Sequence, residues 1–183
     1  MAQLYSGKGD DGSTGLLGGG RVSKANLLIE AIGSLDEVNA FLGNVRNKIH
    51  EKNIQSLLEE IQRDLYTIMA DLANSEEIKI KTKGVDISRV HFLEKQLEEI
   101  GGQTEMPKGF ILPGETSEAV AIGICRTVTR RAERQVVRLS DQQGVKNPQI
   151  LSYLNRLSSL LYLLEVKYSQ KQNSKKFKYA KVT

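Results

Sequence analysis

Apolar residues recur every three or four positions through most of the chain, the period of helices that bury one face. From Leu27 to His50 the stripe is Ile32, Leu35, Val38, Leu42, Val45 and Ile49. From Ile54 to about Asn74 it is Leu58, Ile61, Leu65, Ile68, Met69 and Leu72. A third helix begins at Asp86 or Ser88, turns Val90, Leu93, Leu97 and Ile100 inward, and stops at Gly101-Gly102. After the Pro113-Gly114 turn comes a fourth, capped by Thr116 or Ser117, with Glu118 suited to the positive end of its dipole. Asn147-Pro148 opens a fifth, which runs to about Ser169 with Ile150, Leu154, Leu157, Leu161, Leu164 and Tyr168 on one side. The pattern predicts an all-α fold in one domain over residues 1–183, a five-helix bundle with four long antiparallel helices, ferritin-like in architecture and without a sheet. Around it lie an N-terminal loop (1–26), an exposed charged linker (Glu76 to Val85), a loop from Gln103 to Gly114, and a mobile basic tail (170–183).

The fourth helix carries the strongest chemical signal. It holds Arg126, Arg130, Arg131, Arg134 and Arg138, with no lysine until Lys146. At ~100° per residue, Arg126, Arg130, Glu133 and Arg134 share about a third of the circumference, and Ile124, Val128, Ala132, Val136 and Leu139 fall opposite. Guanidinium forks match phosphate oxygens in paired geometry, which an ammonium does not reproduce. Such a face points to an anionic ligand. On the first helix Asp36, Glu37 and Asn39 interrupt the apolar pattern, and Asp36 is expected to face a cation of the arginine helix.

Composition narrows the chemistry. The net charge of +4 suits an anionic ligand but falls short of the footprint of a dedicated nucleic-acid binder. One cysteine, Cys125, excludes an internal disulfide, favours an intracellular, cytoplasmic setting, and reads as a small core residue. His50 and His91 have no partners at ligand spacing, so no dedicated metal site is expected. No apolar run approaches the ~18 residues of a membrane span, and no signal peptide is visible.

Residues Tyr5 to Lys24 read YSGKGDDGSTGLLGGGRVSK. Gly7, Gly9 and Gly12 match G-x-G-x-x-G, but no strand precedes them and no βαβ alternation follows. The stretch offers free backbone N–H groups, hydroxyls at Ser6, Ser13 and Thr14, and cations at Lys8, Arg21 and Lys24. These groups suit phosphates, and Asp10 or Asp11 suits a hydrated magnesium. A disordered arm is the competing reading.

Three separated segments, the N-terminal stretch, GSLDEVNAFLG, and FILPG with RTVTRRAERQVV, together resemble the corrinoid (ATP:cob(I)alamin) adenosyltransferases of the trimeric five-helix type. The resemblance runs from Tyr5 to about Lys167. It implies attack of cob(I)alamin on the 5′ carbon of ATP, with adenosylcobalamin and triphosphate as products. It implies a homotrimer with active sites between subunits, ATP and Mg2+, a corrinoid substrate, and a flavoprotein reductase as partner. From charge and hydropathy, no nucleic-acid or membrane partner is expected. By motif, Tyr5, Ser6, Gly7, Lys8, Gly9, Asp10, Ser13 and Thr14 are similar to the segment that wraps phosphates and magnesium, and Lys24 to a phosphate-contacting lysine. Arg130, Arg131, Glu133, Arg134 and Asn155 are similar to nucleotide-binding residues. Asp36 and Arg126 resemble a salt-bridged pair that shapes the corrinoid site, and Phe110 the aromatic that displaces the corrinoid's lower ligand. Ser6 replaces a common threonine and keeps its hydroxyl; Glu115 stands where a second glycine often follows Pro-Gly. The rival reading is a basic helical bundle that binds RNA or an acidic protein partner.

Overall fold

The computed structural model of the chain describes residues 5–17, 19–74, 84–170 and 177–180. Its helices are α1 (Leu27–Lys48), α2 (Lys52–Leu72), α3 (Ile87–Gly101), α4 (Ser117–Gln143) and α5 (Gln149–Ser169). The apolar stripes become the core: Leu35, Leu42, Leu58, Ile61, Leu65, Ile68, Leu93 and Ile122 are fully buried. α1 packs on α2 and α4, α4 on α5, and α5 on α3. Local chemistry sets the helix starts. Asn26 accepts a hydrogen bond from the Leu28 N–H, Asp86 from Ser88, and Thr116 from Ala119. The Thr116 hydroxyl also donates to the Tyr168 carbonyl (3.2 Å), pinning the start of α4 against the end of α5.

The structure departs from the sequence pattern in four places. A short antiparallel ribbon exists, β1 (Ser13–Gly15) with β2 (Arg21–Ser23), Thr14 opposite Val22. Three-residue strands among glycines are too short to show a period of two. Ile124 is 44% exposed and sits on the outer face of α4 with Val120, not on the buried stripe. Val85, expected in an exposed linker, is buried; linker residues 75–83 lie outside the described residues. Within the tail, expected to be mobile, Tyr179 bridges Ile111 in antiparallel pairing, while 171–176 and 181–183 lie outside the described residues.

One polar knot locks the helices. Asp64 on α2 takes both the Nε and an Nη of Arg89 on α3 (2.8–3.0 Å) and the phenolic hydrogen of Tyr153 on α5 (2.8 Å). Burial, then the Asp64 carboxylate, hold the Tyr153 phenol well above its ordinary pKa, so it remains a donor. Asp64→Ala removes the shared acceptor, leaves the buried Tyr153 hydroxyl without it and leaves Arg89 only its longer bond to Glu60 (3.3 Å). It is expected to cost on the order of 3 kcal/mol, a fall of roughly 6–12 °C in the melting midpoint for a chain of this size. Tyr153→Phe, which removes one bond to a charged acceptor, is expected to cost about 2 kcal/mol. Thermal unfolding followed by circular dichroism measures both, and equal midpoints for all three proteins contradict the knot's role.

Candidate functional site

The N-terminal stretch is a compact hydrogen-bonded loop, not a loose arm. The Asp10 N–H donates to Gly7 O (3.1 Å), Gly12 to Gly9 O (3.2 Å) and Lys24 to Gly12 O (2.9 Å). Lys24 Nζ reaches back to Gly9 O at 2.8 Å. A Cβ at position 9 would stand 3.2 Å from that nitrogen, so glycine there gives the ammonium its seat. An ammonium has three hydrogens, so Lys24 keeps donors for an incoming anion. Arg21 braces the loop from inside, with Nε on Ser13 Oγ (2.9 Å) and Nη2 on the Lys8 carbonyl. Hydrogen bonds from the Ser13 side chain and then its backbone lower the pKa of Asp11. Asp11 also lies 3.7 Å from Arg21, so it is engaged as a brace, and Asp10 is the carboxylate left for a hydrated cation. Tyr5, Ser6 and Lys8 are exposed on this loop, and Thr14 sits in β1. Leu17 bridges Asn74, which fixes the ribbon to the end of α2. Among the described residues no three His, Cys, Asp or Glu side chains cluster as a metal site.

The second group lies along the α4–α5 seam. Its antiparallel register is read from Gly123 beside Glu165, Arg126 over the Tyr162 ring, and Glu133 bonded to Asn155 (3.2 Å). Asn155 also accepts from Arg156 (3.1 Å), whose Nε holds Glu94 of α3 (2.9 Å). Glu133 and Asn155, separate in sequence, are thus one hydrogen-bonded pair. Arg134 donates to the Arg130 carbonyl (2.9 Å), and Arg131 pairs with Glu37 of α1 (2.5 Å). Arg130 is exposed, and its guanidinium makes no bond with a described residue. Cys125 lies buried beneath this face, with its thiol pushed up to about 12 by burial, so it stays protonated and inert.

Asp36 and Arg126 do not pair within the chain. Arg126 Nε donates to Glu165 Oε2 on α5 at 2.6 Å. Asp36 instead lines an open groove between α1 and α2, with Asn39, Ala40, Gly43, Gln62 and Tyr66. The physical reason is geometry: the α4–α5 seam offers Arg126 a buried acid at the same level, whereas Asp36 points along another face of α1. Glu165 was missed from sequence, although an acid inside the apolar run Leu163-Leu164-Glu165-Val166 was its signal.

Phe110 is 78% exposed in the loop before α4. Backbone bonds hold its loop to the tail: Ala180 N–H to Phe110 O (2.8 Å) and Leu112 N–H to Lys178 O (2.7 Å). Glu115 lies 3.3 Å from Lys178, so the side chain that replaces a glycine ties the same two strands. Among the described residues no hydrogen bond or ion pair joins the N-terminal loop to the arginine face; the two groups stand as separate halves.

Comparison with known proteins gives these halves a common context. Residues 4–168 match the family model for cobalamin adenosyltransferases. The chain is 37% identical over 162 residues to the corrinoid adenosyltransferase PduO of Salmonella typhimurium, covering 88% of this chain and 48% of that protein. It is 36% identical over 165 residues to the corrinoid adenosyltransferase of Bacillus subtilis, covering 87% of this chain and 83% of that one. The chain thus spans about half the length of the PduO relatives and most of the Bacillus one. A variant PduO-type ATP:corrinoid adenosyltransferase from Lactobacillus reuteri, complexed with cobalamin and ATP, superposes with a TM-score of 0.88 at 29% identity, covering 98% of this chain and 99% of that one. With its five helices in place and the family model matching residues 4–168, the chain belongs to the cobalamin adenosyltransferase family.

Proposed function

We infer that the protein transfers the 5′-deoxyadenosyl group of ATP to the cobalt of cob(I)alamin, giving adenosylcobalamin and triphosphate. The observation that carries this reading is Arg130: an exposed guanidinium without a described partner, beside the Glu133–Asn155 pair, on a helix whose Arg126 and Arg131 are already neutralised. The Co(I) electron pair forms the Co–C5′ bond as the C5′–O bond breaks, and that bond's electrons leave on the triphosphate. The nucleophile is the metal of the substrate, so no side chain needs to remove a proton. The protein's part is to place two substrates and stabilise the leaving charge. Arg130 and Lys24 suit the phosphates, Arg134 and the Glu133–Asn155 pair suit the nucleoside end, and the loop amides not already bonded within the loop, such as those of Gly9 and Asp11, suit the remaining phosphate oxygens. Magnesium enters with ATP as its counter-ion, and Asp10 suits a water of its hydration shell.

In the same reading the active enzyme is a cytoplasmic homotrimer fed by a flavoprotein reductase. Two features favour assembly. Among the described residues nothing joins the N-terminal loop to the arginine face, and Val120 and Ile124 are exposed on the outer face of α4. Asp36, without a described partner, then suits Arg126 of a neighbouring subunit, and its groove suits the corrinoid. Phe110, exposed on a braced loop, suits the lower face of the corrin ring, where an apolar side chain excludes a donor ligand and eases reduction of Co(II). A bundle that binds RNA through the same helix is not favoured, because the family model that matches and the similar proteins are those of adenosyltransferases.

The direct assay mixes protein, MgATP and chemically reduced cobalamin and follows the cobalt–carbon product in the visible spectrum. Arg130→Ala is expected to lower turnover by roughly 10²–10³-fold, the cost of one charge-stabilising donor, with an unchanged melting midpoint; near-normal turnover rejects the phosphate role. Phe110→Ala is expected to cripple the reaction that starts from cob(II)alamin and a reductant, while the reaction from pre-formed cob(I)alamin stays close to normal. Equal losses in the two routes contradict ligand displacement.

A further inference from the structure

Glu165 is 2% exposed, yet it carries a carboxylate in the apolar interior of the α4–α5 seam. Two features explain how the fold tolerates it. Arg126 meets it with Nε at 2.6 Å, and Gly123 leaves a notch for it: a Cβ there would stand 2.7 Å from Oε1 and 3.0 Å from Cδ. Glycine in the second turn of a 27-residue helix weakens that helix, so its place here is explained by the side chain it admits. The Arg126 guanidinium carbon lies 5.8 Å from the Tyr162 ring centroid, which gives the planar group a second wall. Only Nε is engaged; the two terminal nitrogens make no hydrogen bond with a described residue.

We propose that Glu165, seated in the notch at Gly123, is a positioning residue that grips Arg126 by Nε and leaves its terminal fork free for a second carboxylate at the corrinoid face. This rests on the adenosyltransferase reading, in which Asp36 of a neighbouring subunit is that carboxylate. A guanidinium can serve two acids at once because its Nε edge and its terminal edge are distinct; an ammonium has no such fixed edges. Holding a long side chain before its partner arrives leaves less freedom to lose when the site closes. A buried acid in this place therefore sets where the wall of the corrinoid site stands, without touching either substrate.

The test compares wild type, Arg126→Ala, Glu165→Gln and Gly123→Ala in one assay. Glu165→Gln keeps the shape and removes the charge; Gly123→Ala keeps the charge and pushes the carboxylate. Melting midpoint, oligomer mass, KM for ATP, KM for cob(I)alamin, and the fraction of bound cob(II)alamin showing the four-coordinate signature are measured for each. Loss of one charge-assisted hydrogen bond is expected to raise KM for the corrinoid by about 10-fold or more and to lower the four-coordinate fraction in both Glu165→Gln and Gly123→Ala, while KM for ATP stays within about twofold. If wild type forms no adenosylcobalamin, the functional reading itself fails. If wild type is active and Arg126→Ala is impaired, but Glu165→Gln and Gly123→Ala match wild type toward the corrinoid, the positioning role is overturned and the reading survives. If Glu165→Gln does not assemble, Glu165 is a folding residue and the proposal is likewise overturned.

Discussion

The α4–α5 seam is the constraint on which the rest depends. Its antiparallel register is fixed at three levels, by Thr116 on the Tyr168 carbonyl, Arg126 on Glu165, and Glu133 on Asn155. Along this seam Cys125, Val128, Ala132 and Val136 bury one side of α4. That burial dictates which side is left for chemistry. Because the apolar stripe and the ties are set, Arg130 and Arg134 stand one turn apart on the same face of α4, next to the Glu133–Asn155 pair. A slip of one turn would move Arg126 away from the only described cation-accepting acid it bonds and leave a buried charge without a partner, at a cost of about 3–5 kcal/mol.

Around that seam the fold separates rigid parts from presented parts. The Asp64–Arg89–Tyr153 knot locks α2, α3 and α5 on the far side. The phosphate-suited loop is braced by Arg21 and attached at Asn74, so its amides are ordered by the chain's own bonds. The Phe110 loop is braced by the tail through two backbone bonds and the Glu115–Lys178 pair. Each presented element is therefore held by its own local bonds while its working side chain stays exposed. In the proposed reading, this arrangement leaves one surface for a nucleotide and another for a large planar ring.

Much of this was legible in the sequence, for a physical reason. Helical period is a local signal, and the five stripes and the Asn, Asp and Thr caps lie within a few residues of the elements they define. Density of arginine on one face is likewise local. What the pattern lost was non-local. Ile124 follows helical spacing yet faces outward, since period alone does not say which side of a wide stripe meets a neighbour. The ribbon of Ser13–Gly15 with Arg21–Ser23 and the bridge from Tyr179 to Ile111 pair residues by backbone, which side-chain periodicity does not record. Glu165 was hidden because its meaning depends on an absent Cβ at Gly123, on another helix. The pairing expected between Asp36 and Arg126 failed within the chain because proximity of two helices does not fix which of several acids a cation meets.

The central claim is that guanidinium groups of α4 take the triphosphate of the nucleotide. The most direct measurement is a crystal structure of the protein with MgATP bound. The account predicts phosphate oxygens within hydrogen-bonding distance of the Arg130 guanidinium, the Glu133–Asn155 pair beside the nucleoside, and the loop of Gly7 to Lys24 closing over the same phosphates. Phosphates lodged away from Arg130 and Lys24 would contradict it.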